Sequence, residues 1–167
     1  MSRSATPAIE HVVRAGVACT VHEYVLAERH GRDRAERPDY GLEAAAALGI
    51  SAHRMAKTLI AAIDGRLVAA VIPVDRQLDP RALAAAVQGR RGELAQPAAA
   101  ERATGYVVGG ISPLGMRQAL PVVVDASVLS LPTVFVSAGR RGLQIELAPA
   151  DLVRVAAATV ASIVRSG

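Results

Sequence analysis

Thr58-Leu59-Ile60-Ala61-Ala62-Ile63-Asp64-Gly65-Arg66-Leu67-Val68-Ala69-Ala70-Val71-Ile72 is the stretch that decides the fold. Two apolar runs are split by Asp-Gly, a dipeptide that tolerates the positive φ angles of a type I′ turn, so the segment reads as a β-hairpin. Both runs are nearly continuous in apolarity, which predicts strands covered on both faces. Lys57 stands just before the first run, where one helical turn capped by Ser51 hands over to sheet. It is the only lysine among 19 Lys plus Arg. Arginine offers a planar, permanently charged fork, whereas lysine offers a compact point charge whose pKa shifts readily. Two readings stand side by side: an accident of arginine-rich composition, or a site that needs a small cation at the mouth of a buried strand.

Upstream, Leu42 to Leu48 reads as an alanine-rich helix stopped by Gly49. Residues 28–39 are charged, mixed in sign and poor in apolar side chains, which predicts a mobile loop, either a solvated excursion or a lid or RNA-phosphate contact. Cys19 to Val25 reads as a strand, and Thr6-Pro7 as the cap and first position of a helix that ends at Gly16. Downstream, Asp79-Pro80 opens a helix running to Val87 and Gly89, and Glu93 to Ala95 reads as a short strand. Pro97 to Thr104 is predicted helical, and Tyr106-Val107-Val108 a strand broken at Gly109-Gly110. Further strands are expected at Leu120–Val124, Thr133–Ser137 and Leu143–Leu147, with a turn at 138–142. Pro149 and Asp151 open a last helix, with Leu152, Val155, Thr159 and Ile163 along one stripe. Seven strands and four or five helices, with hairpins outnumbering βαβ units, predict one α+β domain over residues 1–167 with a mixed, mostly antiparallel sheet.

Composition narrows the function. The chain is 51% hydrophobic, yet only 2% aromatic, so Ala, Val, Leu and Ile must fill the core. No apolar run is long enough to span a bilayer, and the N-terminal residues lack the apolar core of a signal peptide. Cys19 is the single cysteine, which excludes an internal disulfide and fits a reducing cytoplasm. A net charge of +4 permits an anionic partner. So few aromatics argue against a base-stacking platform, which leaves phosphates and chain ends as the points of nucleic-acid contact.

His11, His22, His30 and His53 show no metal-ligand spacing, so no metal is expected. Cys19 and His22 lie three apart on a strand and face opposite sides, which argues against a nucleophilic dyad and for Cys19 as a small core residue. Gly109-Gly110-Ile111-Ser112 matches neither a Walker loop nor a dinucleotide fingerprint. It offers backbone without Cβ, either as a tight turn or as free N–H donors for a ligand. Gly139-Arg140-Arg141-Gly142 is a turn with two cations, solvated or anion-binding. One lysine, glycine-rich donors and a hydroxyl from Thr58 or Ser137 suit stabilisation of negative charge on a carbonyl, and with no evident general base the substrate should be already activated.

Three stretches together carry a resemblance: Lys57-Thr58-Leu59, Thr104-Gly-Tyr-Val-Val-Gly-Gly-Ile-Ser-Pro-Leu-Gly115 and Val136-Ser-Ala-Gly-Arg-Arg-Gly-Leu-Gln-Ile-Glu-Leu147. The chain resembles the YbaK/prolyl-tRNA synthetase associated domain family from Thr6-Pro7 to the last helix, most closely its free-standing Cys-tRNA(Pro) deacylases. The resemblance implies a YbaK-like fold, a barrel-like mixed sheet with flanking helices. It implies a cytoplasmic trans-editing hydrolase that clears cysteine from proline tRNA, gripping the acceptor end and working alongside prolyl-tRNA synthetase. No cofactor, metal, membrane or DNA is implied. By matching position, Lys57 is the catalytic cation, Gly109 with its neighbour Gly110 the backbone contact, and Ser137 the pocket hydroxyl. Tyr24, Tyr40 and Thr58 fall on pocket-lining positions. The implied mechanism uses no protein nucleophile, because the cysteinyl thiol attacks its own ester carbonyl. Three departures bear on substrate choice: Ala56 where the family usually has an aromatic residue, the long charged loop at 28–39, and Gln144 where some relatives carry an acid. The alternatives are a deacylase for Ala or Ser on tRNA, and a non-catalytic module that binds aminoacyl-tRNA or a synthetase.

Overall fold

The computed structural model describes residues 5–26 and 39–166. The loop expected at 28–39 therefore lies outside the described residues, apart from Asp39.

Helix α1 (Pro7–Arg14) is capped by Thr6, whose hydroxyl accepts from the Ile9 N–H at 3.1 Å. Strand β1 (Cys19–Glu23) follows. Helix α2 (Tyr40–Leu48) starts two residues before Leu42, because the Asp39 carboxylate caps it by accepting from the Leu42 N–H at 3.0 Å. A 3₁₀ turn at Ala52–Arg54 delivers the chain to the hairpin, β2 (Ala56–Ile63) and β3 (Arg66–Pro73), which pair antiparallel from Ile63↔Arg66 to Ala56↔Pro73. Asp64 and Gly65 have φ of 50° and 83°, the positive pair that the type I′ reading required. Next come α3 (Pro80–Ala86), β4 (Gly92–Leu94), α4 (Pro97–Thr104) and β5 (Val122–Asp125). The chain finishes with β6 (Val134–Ser137), β7 (Leu143–Leu147), α5 (Pro149–Val155) and β8 (Thr159–Ala161).

Two expectations are corrected. Tyr106-Val107-Val108 is not a strand. It lies between two glycines with φ of 80° and 90°, the Gly110 N–H closes a turn on the Val107 carbonyl at 2.8 Å, and the buried Tyr106 donates its hydroxyl to the Leu114 carbonyl at 2.6 Å. Burial pushes the Tyr106 phenol up to about 12. The last helix stops at Val155, short of Thr159 and Ile163, and Ala157 turns the chain at φ 50°. The β-branched pair Thr159-Val160 then finds a better place as β8 on the edge of β5.

The strands form two sheets, β1-β7-β6 and β4-β2-β3-β5-β8. All pairings are antiparallel except β3 with β5 and β5 with β8. The class is the mixed, mostly antiparallel α+β expected, with the strands divided between two sheets bridged at Met55 and Phe135 rather than closed in one ring among the described residues. The main core lies between the sheets, with Ile60, Val71 and Val124 on one side and Val136, Leu143 and Ile145 on the other. A second core, including Ile63, Ile72, Leu83 and Ile163, covers the opposite face of the five-stranded sheet, so the hairpin is covered on both faces as its pattern predicts.

One detail of this sheet creates the site. The Asp64 carboxylate accepts from the N–H groups of Arg90 and Arg91 at 2.9 and 3.0 Å, bonds that hold its carboxyl below the usual carboxylate range. They bring the chain onto β2 only at Ala61–Ile63. From Ala56 to Leu59, the side of β2 away from β3 carries no β4 partner.

Candidate active site

Along that open edge runs a cleft of about 600 Å³. It is lined by Met55 to Ile60, by Leu94, Ala95, Pro97 and Ala100, by Val108, Gly109 and Ile111, by Ser137 and Gln144, and by Asp39 to Gly41. Lys57 and Thr58 point to opposite faces of β2, and both border the cleft because it follows the strand's edge. The Ile60 carbonyl accepts from the Ala95 N–H at 2.9 Å on this edge. By the alternation of antiparallel bonding, Thr58, two residues earlier, directs its backbone to the same side. Ser137 and Gln144 meet because they are register partners across β6 and β7, which sets their side chains on one face.

The glycines are held tightly. A Cβ on Gly109 would lie 2.4 Å from Tyr40 Cδ2 and 2.8 Å from Arg141 Nε; one on Gly110 would lie 2.8 Å from the Arg140 backbone. Arg141 is the clamp: its Nε donates to the Val108 carbonyl at 3.0 Å, and its guanidinium lies 4.2 Å over the Tyr40 ring. The Gly110 N–H is already spent on Val107, so of the two amides read as free donors only that of Gly109 lacks a protein partner among the described residues. The Ser137 hydroxyl donates to the Gly110 carbonyl at 2.9 Å and accepts from the Gly139 N–H at 3.1 Å. It braces the wall that carries Gly109.

Lys57, Thr58, Tyr40, Gly109 and Ser137 thus share one cleft, and Gly110 backs its wall. Tyr24 lies apart, in a smaller groove with Leu26 and Glu43, and reaches the cleft through Gln144, whose Nε2 donates to the Tyr24 hydroxyl at 3.5 Å. Two buried side-chain atoms in the cleft have no hydrogen-bond partner among the described residues, Thr58 Oγ1 and Gln144 Oε1.

Sequence reasoning missed the support beneath this site. Glu146 accepts from Thr133 at 2.6 Å, pairs with His22 at 2.9 Å and lies 3.5 Å from Arg54. The Thr133 hydroxyl first, then His22, hold the Glu146 carboxyl below its ordinary value. Glu146 is two residues from Gln144 on the same face of β7, and Arg54 three residues before Lys57, so one carboxylate ties the two sides of the cleft. The period-two pattern of β7 placed Glu146 beside Gln144; nothing in the sequence announced partners from 13 to 124 residues away.

A mixed α+β fold with an open strand edge, a lysine beside it and a glycine wall defines a small-ligand cleft. The chain belongs to the aminoacyl-tRNA editing domain family, which matches residues 39–155. It is 39% identical over 107 residues to EbsC of Enterococcus faecalis, named as a candidate Cys-tRNA(Pro)/Cys-tRNA(Cys) deacylase, covering 63% of this chain and 65% of that one. It is 31% identical over 106 residues to the multifunctional Ser/Thr-tRNA deacylase ProXp-y of Escherichia coli, covering 60% of this chain and 64% of that one. The matched stretches thus span less than two thirds of these relatives' own lengths. A solved structure described as a candidate trans-editing enzyme for prolyl tRNA synthetase has the same fold, with a TM-score of 0.83, 23% identity and 99% of both chains covered. A hypothetical protein of known structure aligns with a TM-score of 0.81 at 28% identity, over 96% of this chain and 100% of that one. Among the described residues no helix is long and apolar enough to cross a membrane.

Proposed function

We propose that this chain is a trans-editing aminoacyl-tRNA deacylase, with Cys-tRNA(Pro) as its substrate. The observation that carries the reading is the meeting of Lys57, Thr58, Tyr40 and Gly109 on one cleft in a member of the editing family. EbsC, at 39% identity, supports cysteine. The acceptor end of the tRNA enters along the open edge of β2, in the cytoplasm and in concert with prolyl-tRNA synthetase.

The chemistry follows from what the cleft offers. Among the described residues its lining contains no histidine, and the Oδ1 of the one carboxylate among them, Asp39, caps α2. The cysteinyl thiol attacks its own carbonyl, forming a carbon–sulfur bond and breaking the carbon–oxygen bond to the ribose. The thiol proton ends on the departing ribose oxygen. Lys57 lends its ammonium to the charge that develops on these oxygens, and the Gly109 N–H donates to the carbonyl. One well-aimed donor is worth roughly 3–4 kcal/mol in such a transition state. An intramolecular nucleophile supplies the proximity that a protein base would otherwise provide. Ser137 and Arg141 act by holding the wall, and Tyr40 and Thr58 shape the pocket.

A second reading is hydrolysis of Ser or Ala from tRNA, and the 31% identity to ProXp-y, named as a Ser/Thr-tRNA deacylase, favours Ser within it. A panel of proline tRNA charged with Cys, Ser or Ala separates the two. Fastest clearance of Cys is expected; faster clearance of Ser or Ala rejects the thiol-assisted route. Binding of all three without turnover makes the chain a non-catalytic module.

A further inference from the structure

Thr58 and Gln144 come from different sheets and line the same cleft. Thr58 is 8% exposed and Gln144 5%, yet Thr58 Oγ1 and Gln144 Oε1 have no partner among the described residues. Buried polar atoms are almost always bonded, and one left unmade costs the full penalty of losing water. Two in one cleft point to a ligand that brings donors. Gln144 Oε1 is an acceptor only, and its amide is oriented by the bond from Nε2 to the Tyr24 hydroxyl.

On the deacylase reading above, the ligand is the esterified amino acid. Beside the ester carbonyl, a cysteinyl ester carries a thiol and an α-amine. The S–H is a weak donor and must stay free to attack. The amine sits one carbon from the carbonyl and brings several strong N–H donors. We infer that Thr58 and Gln144 form the subsite that takes the α-amino group of the esterified amino acid, gripping it by hydrogen bonds to two neutral oxygens. Lys57, the residue before Thr58 on β2 and pointing to the other strand face, is left for the ester and ribose oxygens. The subsite registers that an amino acid is present, and it orients the ester so that the thiol faces the carbonyl. Gln144 accepts here without adding a second charge near Lys57.

The test compares Cys-tRNA(Pro) with the same tRNA esterified by 3-mercaptopropionate, which keeps the thiol and the ester but lacks the amine. Each rate is divided by the spontaneous rate of that ester in buffer. The wild-type protein is expected to favour the amine-bearing ester by roughly tenfold or more, the scale of one hydrogen bond to a buried acceptor. Thr58→Val and Gln144→Met are expected to slow the amine-bearing ester about tenfold more than they slow the other. Thr58→Val should also melt at or above the wild-type temperature, since it removes an unpaired buried atom and no hydrogen bond. Equal normalised rates on the two esters, or variants that slow both alike, overturn the subsite. A binding arm uses 3′-cysteinylamino-adenosine, which cannot be hydrolysed in this way, against its mercaptopropionyl counterpart. Amine-dependent binding without ester turnover upholds the subsite while rejecting the deacylase reading. Binding of neither compound, or equal binding of both, overturns the subsite itself.

Discussion

The Arg141 guanidinium lies 4.2 Å over the centre of the Tyr40 ring while its Nε holds the Val108 carbonyl at 3.0 Å. One side chain thus pins the first residue of α2 to the turn that carries Gly109. Stacking and a fork of donors are properties of arginine that lysine lacks. Arg141→Lys should lose about 1 kcal/mol of stability and raise KM for the ester more than it lowers kcat. Steady-state kinetics with a denaturant midpoint check this. An unchanged KM would show that the clamp does not shape the cleft.

Gly109 has φ of 90° and no room for a Cβ against Tyr40. Gly109→Ala therefore meets both backbone strain, roughly 1–3 kcal/mol, and a clash with the ring. At about 2–4 °C per kcal/mol for a chain of this size, the melting temperature should fall by roughly 4–10 °C. A thermal scan at one concentration decides it. An unshifted melt would mean that Tyr40 gives way freely.

Glu146 sets an acid limit on stability. Its carboxyl is held low by Thr133 and then by His22, so its folded pKa lies below the unfolded value of about 4.3. The sign follows from linkage: the contribution is fully present above the unfolded value and is lost as pH falls through the lower folded one. Glu146→Gln should be less stable than wild type at pH 6, and the gap should narrow at an acid pH below the unfolded value, as the native carboxyl takes up its proton. Urea midpoints at the two pH values measure the gap. A gap of equal size at both would leave Glu146 without an electrostatic role.

The features legible in the sequence were those written in local chemistry. Asp64-Gly65 between two apolar runs announced the hairpin, and Thr6-Pro7 and Asp79-Pro80 announced helix starts. Lys57, Thr58, Tyr40, Gly109 and Ser137 were singled out before any geometry, and the fold brings them to one cleft. What escaped was tertiary. Tyr106-Val107-Val108 has strand-forming residues, but the buried Tyr106 hydroxyl finds the Leu114 carbonyl, and turn geometry wins. Thr159 and Ile163 fit a helical stripe until the free edge of β5 offered Thr159-Val160 a parallel partner. The Gly110 amide looked available because nothing local shows that the Val107 carbonyl claims it. Glu146 and Gln144 alternate properly on a strand, yet their partners Arg54, His22 and Tyr24 come from distant segments.

The measurement closest to the central claim is the deacylation rate of Lys57→Arg on Cys-tRNA(Pro) beside wild type, with both proteins shown to have the same melting temperature. Arginine keeps the charge and replaces a compact ammonium by a broad planar group at the edge of β2. The expected result is a fall of roughly 10²–10³ in rate, the loss of one well-aimed charged donor. Deacylation at close to the wild-type rate would contradict the assignment of Lys57 as the catalytic cation.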